Sequence, residues 1–255
     1  MKRDLERLDR LLVERGLVES AGKAQALILA GKVVVDGHRR DKPGDRVARD
    51  ADIHLKGIKT WASRGAHKLL GALDAMPELA ERIRGAHCLD IGASTGGFTD
   101  VMLQHGAASV VALDVGYGQL HWKLQSDDRV TVLDRTNIRH LAPGLLPHAP
   151  SFATCDASFI SVRRFLDVVH RELAPGGVFV CLVKPQFELP REEVGPGGIV
   201  RDPELRQRAL EDVRSAAEAL GFVCRGSLDS PIAGPKGNLE LLLVLERPGL
   251  LQGSD

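Results

Sequence analysis

The sequence predicts an α/β protein in which a largely parallel, doubly wound sheet follows a small N-terminal α+β module. Apolar strand-like runs near 87–91, 109–114, 130–133, 151–155, 178–183, 221–228 and 239–246 alternate with helical stretches, the pattern of a layered sheet. The stretch before them has a different balance. Residues 1–68 hold 16 Lys and Arg against 10 Asp and Glu, whereas the remainder holds 18 against 24, for a formal net charge of zero. A basic front on an acidic body points to a front that handles a polyanion.

In chain order, Arg7 to Gly16 places apolar residues at 8, 11, 12 and 13 and stops at a glycine, as an amphipathic helix with a C-terminal glycine cap does. A second helix is capped by Ser20, populated by Ala24 and Ala26 to Leu29, and ended by Gly31. Lys32 to Gly37 reads as a strand entering a turn, and Ile53 to Leu55 as a further short strand. The short, mixed run Lys56 to Ala62 is the connection, with Trp61 expected to anchor domain packing. The resulting boundaries are 1–58 for the first domain, 59–63 for the linker and 64–255 for the second domain. Ser63 is expected to cap the helix that leads into the first strand of the large sheet. Gln186 to Arg201, rich in glycine, proline and charge, reads as a mobile loop of the kind that covers active sites.

The second domain is organised around Cys88-Leu-Asp-Ile-Gly-Ala-Ser-Thr-Gly-Gly-Phe-Thr-Asp100, a strand, a tight turn and a helix start. Gly92, Gly96 and Gly97 allow backbone angles that side chains forbid and let a ligand approach main-chain N–H groups. The next strand ends at Asp114, 22 residues after Gly92, where a doubly wound sheet places a carboxylate on a ribose diol. Serine at position 94 departs from G-x-G-x-x-G, which disfavours a pyrophosphate and leaves a nucleoside cofactor. Composition narrows the setting. No apolar run approaches the ~18 residues of a membrane span and the N-terminus has no apolar signal region, so a soluble, cytoplasmic protein is expected. Cys88, Cys155, Cys181 and Cys224 lack metal-binding spacing and read as reduced core residues.

Two further strands end in chemistry, one at Asp156 and the next at Lys184, and both ends belong beside the cofactor crevice. Glu240 opens the last strand and Lys68 lies on the helix before the first. Each of these charges taken alone reads first as a strand-end salt bridge. His67 and His121 read as packing or surface residues.

The order of motifs carries a resemblance. The pattern R-L-D-x-x-L-V-x-R-G-L followed by S-x-x-x-A-x-x-L-I-x-x-G-x-V-x-V-D-G resembles the RNA-binding module named after a primary-binding protein of the small ribosomal subunit. That resemblance implies phosphate contacts from Arg3, Arg7, Arg10, Lys23, Lys32, Arg39, Arg40 and Lys42. Beyond it, S-R-G-A-H-K-L, L-D-I-G-A-S-T-G-G-F-T-D, D-V-G-Y-G-Q-L, R-T-N, D-x-S-F-I-S, V-K-P-Q-F-E, V-G-x-G-G-I-V and G-P-x-G-N-x-E resemble the TlyA family of ribosomal RNA ribose 2′-O-methyltransferases, whose catalytic domain is similar to the FtsJ RNA methyltransferases. The resemblance implies a Rossmann-like sheet that binds S-adenosylmethionine and a catalytic tetrad of Lys68, Asp156, Lys184 and Glu240. It implies cofactor contacts from Gly92, Ser94, Thr95, Gly96, Gly97, Phe98, Asp114, Val115, Asp134, Asn137 and Asp156. Asp134 stands where glutamate is expected.

A ribose 2′-hydroxyl must be held in line with the methyl group and lose its proton as the bond forms. Lys184 is the expected proton acceptor, or else a cation that orients the hydroxyl oxygen, with Glu240 and Lys68 fixing the ribose. No metal is required, and ribosomal RNA or a ribosomal subunit is the expected partner, with no membrane and no stable protein partner. A cytidine of large-subunit RNA alone is favoured over dual specificity, because little chain follows the last strand. A non-catalytic ribosome-assembly protein and a pore-forming haemolysin, a label attached to this family, are the competing readings. The complete tetrad argues against the first, and the lack of a membrane segment against the second.

Overall fold

The computed structural model describes residues 4–18, 20–57 and 61–249, and the chain divides into two compact units, Met1–Arg64 and Gly65–Asp255. In the first unit, β1 (Leu5–Arg7) leads directly into α1 (Leu8–Glu14), followed by α2 (Ala21–Leu29), β2 (Val33–Val35), β3 (His38–Arg40), β4 (Arg46–Ala48) and β5 (Ile53–Leu55). Both helices end as their glycines predict. Gly16 has φ +68°, its N–H donates to Val13 O, and Leu17 N–H reaches back to Leu12 O; Gly31, Lys32, Ile28 and Leu27 repeat the arrangement after α2. Ser20 caps α2 through the Lys23 N–H. Strands β3, β2 and β5 form one antiparallel sheet, while β1 pairs with β4 in a two-stranded ribbon that the sequence does not announce. Three-residue strands carry too few alternations to register as a period. Leu8, Leu12, Ala24, Ile28, Val33 and Val35 fill the core of this unit.

The second unit begins with α3 (Ala66–Ala75) and α4 (Glu78–Ile83), then β6 (His87–Ile91), α5 (Gly97–Gln104), β7 (Ser109–Leu113), α6 (Trp122–Gln125), β8 (Val130–Leu133) and β9 (Phe152–Cys155). It continues with α7 (Leu166–Glu172), β10 (Val178–Val183), α8 (Pro185–Glu188), α9 (Pro203–Ala219), β11 (Val223–Asp229) and β12 (Leu241–Glu246). The seven strands lie in the order β11-β12-β10-β9-β6-β7-β8, all parallel except β12, which runs against both neighbours. Strands β9, β10 and β12 are buried along nearly their whole length, as expected of a sheet covered on both faces. Leu89, Val111, Ala153, Phe179 and Leu243 meet Leu166, Val169, Leu210 and Val213 from α7 and α9 in one core. All four cysteines are free thiols, three of them buried in strands.

Two local expectations are corrected. Helix α3 starts at Ala66 with Gly65 in the N-cap position, so Ser63 lies too early to cap it. The stretch from Gln186 to Arg201 is a folded strap rather than a loose loop, built from α8 and two 3₁₀ turns. Leu189 and Val200 pack it on Ala209 of α9, and the Asn238 side chain accepts from Val200 N–H and donates to Gly198 O at 2.9 and 2.8 Å.

Candidate active site

The register of the sheet explains why residues far apart in sequence meet. Ile91 is level with Leu113 on one side and Cys155 on the other, so Gly92, Asp114 and Asp156 emerge side by side at one edge. Cys181 is level with Cys155, which carries Lys184 to the same edge. Because β12 is antiparallel, its start reaches that edge: Leu241 pairs with Val183, and one step further along the ladder stand Lys184 and Glu240. The parallel strand order reverses at β6, the switch point outside which ligands bind in open α/β sheets.

A crevice of ≈ 640 Å³ lies there, lined by Gly92, Ser94, Asp114, Val115, Asn137 and Asp156 among others, a size suited to a small-molecule ligand. Gly92 has φ +76°, and a Cβ on it would come within 2.8 Å of Ala157 Cα, so only glycine lets the Asp156–Ala157 segment lie against the turn. Asp114 is held by two backbone donors, Ser94 N–H at 2.8 Å to Oδ2 and Gly116 N–H at 2.7 Å to Oδ1. Each carboxylate oxygen retains a lone pair for a ribose hydroxyl. This carboxylate, oriented before any ligand arrives and lining the crevice, fits a nucleoside cofactor.

Other expected cofactor contacts border the crevice without lining it. Gly96 is covered by Leu124 and Leu120, which a Cβ would strike at 2.2 and 2.7 Å, and Gly97 and Phe98 are buried in the first turn of α5. The exposed Thr95 accepts from His121 N–H through its carbonyl, and the Asp134 carboxylate accepts from Gly118 N–H at 2.8 Å. These residues shape the turns around the crevice without lining it. Asp90, unassigned by sequence, ties β6 to α5: its buried carboxylate accepts from Thr99 N–H, Thr99 Oγ1 and Thr154 Oγ1 at 2.9, 2.7 and 3.1 Å. Burial pushes its pKa up to about 6 despite those bonds. An aspartate inside the apolar run Cys88-Leu-Asp-Ile was the available signal.

Lys68, Asp156, Lys184 and Glu240 form one continuous network. Lys68 Nζ lies 2.8 Å from Glu240 Oε2 and donates to both Asp156 carboxylate oxygens at 3.0 and 3.2 Å, while Lys184 Nζ lies 2.6 Å from Asp156 Oδ1. The two cations balance the two carboxylates. Lys68, Lys184 and Glu240 are buried, and the Asp156 side chain, 23% exposed, is the part open to the crevice. Glu240 Oε2 touches Lys68 without an aligned hydrogen-bond donor, which leaves acceptor capacity in a buried carboxylate. The G-P-x-G-N-x-E motif now has a physical reading. A Cβ on Gly234 would sit 2.6 Å from Glu240 Oε1, Gly237 takes φ +87° in the turn, and Asn238 fixes the strap. At the crevice mouth Phe159 has φ +67° and is 90% exposed, its ring 5.2 Å from that of Phe187.

Among the expected RNA contacts, Arg3 lies outside the described residues. Arg7 is committed to the buried Asp9, bonded through Nε at 3.0 Å and Nη2 at 2.7 Å, which holds that carboxyl down at about 2. Arg40 is half-buried, 3.9 Å from Asp45. Arg10, Lys23, Lys32, Arg39 and Lys42 are exposed.

The strand order, the crevice at the switch point and the carboxylate ending β7 define a Rossmann-like, S-adenosylmethionine-dependent methyltransferase. The chain belongs to the FtsJ-like methyltransferase family, whose model matches residues 61–247, and it carries an S4 domain over residues 6–53. It is 46% identical over 94% of its length to the 16S/23S rRNA (cytidine-2′-O)-methyltransferase TlyA of Mycobacterium tuberculosis, covering 89% of that protein. It is 33% identical over 71% of its length to the 23S rRNA (cytidine-2′-O)-methyltransferase TlyA of Campylobacter jejuni, covering 68% of it. Among solved structures it is similar to a Streptococcus thermophilus protein described as a candidate hemolysin, with a TM-score of 0.74 and 44% identity, covering 96% of this chain and 90% of that one. Among the described residues no helix is long and apolar enough to cross a membrane.

Proposed function

We propose that the protein methylates the 2′-hydroxyl of a cytidine ribose in ribosomal RNA, with large-subunit RNA as its substrate. The observation that carries this is the buried Lys184–Asp156–Lys68–Glu240 network opening through Asp156 onto the crevice. S-adenosylmethionine supplies, when bound, an activated methyl group. Asp114 binds the ribose of that cofactor, and the backbone around Gly92 and Ser94 borders its other end. Lys184 Nζ holds the attacking hydroxyl oxygen, and the proton that leaves it passes to the Lys184–Asp156 pair. Glu240, buried against Lys68, holds that cation beside Asp156 and balances the charge of the network. Phe159 offers an aromatic face on which an unstacked base can rest.

Large-subunit RNA is the substrate common to the names of both related methyltransferases, and 16S RNA belongs to one of them. Purified protein is therefore expected to transfer labelled methyl from S-adenosylmethionine to large ribosomal subunits, and mapping should place it on a cytidine 2′-oxygen. Transfer to a base, or none to either subunit, would overturn the assignment; equal transfer to the small subunit would replace single by dual specificity.

Two expected results test the parts. Asp114→Ala should weaken S-adenosylmethionine binding at least ~10-fold in calorimetry, since a charge-assisted bond is worth about 1.5–3 kcal/mol. Unchanged affinity would remove Asp114 from the cofactor site. Replacing Arg10 and Lys32 together by glutamate should weaken rRNA binding and flatten its salt dependence by about one to two units of slope, because each lost phosphate contact removes ~0.7–0.9. Equal slopes for variant and wild type would mean that these two cations do not meet the RNA.

A further inference from the structure

Lys184 is 5% exposed, and its Nζ is surrounded by three oxygens of one short segment, two of which accept aligned hydrogen bonds from it. Asp156 Oδ1 lies at 2.6 Å, the Asp156 carbonyl oxygen accepts at 3.0 Å, and Ser158 Oγ accepts at 2.9 Å. Two of these acceptors belong to the tetrad. The third is a hydroxyl on an exposed residue that itself lines the crevice, so it stands on the side from which a sugar must approach.

The segment that presents Ser158 is held from both ends by the exit of β10. On one side are the two bonds from Lys184; on the other, Glu188 accepts from Ser161 Oγ at 2.5 Å, from Val162 N–H at 2.8 Å and from Arg163 Nε at 3.3 Å. Between the clamps Phe159 is kept at φ +67°, a left-handed conformation that a bulky residue holds only when its surroundings impose it. The path of the chain through Ser158 is thus over-determined, and what it fixes is the direction of one hydroxyl toward Lys184.

We infer that Ser158 is a positioning residue for methyl transfer: its hydroxyl fixes the orientation of the Lys184 nitrogen on the crevice side, so that the substrate hydroxyl meets a lysine already aimed at it. The inference rests on the role given to Lys184 above. It concerns how that nitrogen is held, and it adds Ser158 to the residues that set the rate. Glu188 supports the same segment from a distance.

The test is single-turnover methyl transfer to ribosomal subunits by the full-length protein at saturating S-adenosylmethionine, over a range of pH. Ser158→Ala should slow the step ~10-fold, shift the pH–rate profile, and leave the affinities for cofactor and RNA within about twofold of wild type. Ser158→Thr, which keeps the hydroxyl, should recover most of the rate. In a Lys184→Ala background, removing the Ser158 hydroxyl should cost nothing further, because the group it orients is gone. An alanine variant with the rate and pH profile of wild type would overturn the inference, as would a threonine variant as slow as alanine or an equal loss in both backgrounds. Failure of the wild-type protein to methylate ribosomal RNA would instead remove the function on which the inference rests.

Discussion

Lys184→Ala is expected to slow single-turnover methylation by ~100-fold or more while S-adenosylmethionine affinity stays within about twofold. The nitrogen touches Asp156 and Ser158, both on the crevice, but Lys184 itself is not part of the crevice lining, so binding and chemistry separate at this residue. The fold should tolerate the loss. Asp156 keeps Lys68 at 3.0 Å, and its side chain is partly open to water, so its charge remains compensated. Lys184→Met offers a control of similar length and no charge, and it should be as slow as alanine. A variant with near-wild-type turnover would dismiss Lys184 from the reaction. Unchanged chemistry accompanied by a lowered unfolding midpoint would make the lysine a salt-bridge partner of Asp156 and nothing more.

The sheet was legible because most of its strands are largely apolar runs of four to six residues, with β11 an alternating exception, and the tetrad residues were legible because each sits near an element end within a recognisable motif. What joins them was not legible. The antiparallel return of β12 decides that Glu240 lies beside Lys184, and no local pattern states the direction of a strand. Ser158, Glu188 and Asn238 act through contacts to segments 26 to 40 residues away, and in sequence they are ordinary polar residues inside longer motifs. At the glycine turn, Gly96 carries a packing requirement that the sequence does not announce, since Leu120 and Leu124 fill the place of a Cβ there. Arg7, read as a phosphate contact, also pairs with a carboxylate two residues on, buried at the start of α1. Composition marked Gln186 to Arg201 as loose because it counts glycine and proline, whereas Asn238 and the Leu189–Val200 contact with α9 set its order from outside.

Lys68→Ala should destabilise the second unit by about 3–5 kcal/mol in equilibrium unfolding at pH 7. Lys68 is the cation between two carboxylates: it lies 3.0 Å from Asp156 and 2.8 Å from Glu240, and Glu240 is 2% exposed. Removing it leaves Asp156 with Lys184 as partner, but among the described residues Glu240 keeps no opposite charge in ion-pair contact. An uncompensated buried carboxylate opposes folding while ionised and ceases to do so once protonated. The deficit of the variant should therefore already shrink as pH falls from 7 toward the ordinary carboxylate range, whereas the deficit from a lost surface pair persists until pH falls below that range. Neutralising the partner supplies the second half of the test. Lys68→Ala combined with Glu240→Gln should recover much of the stability at pH 7 and none of the methyl transfer, because the fold then lacks a stranded charge while the site lacks two of its four groups. Urea unfolding of both variants at pH 5 and pH 7 provides the measurement. A single variant as stable as wild type, or a double variant less stable than the single, would show that the Lys68–Glu240 contact does not compensate a buried charge.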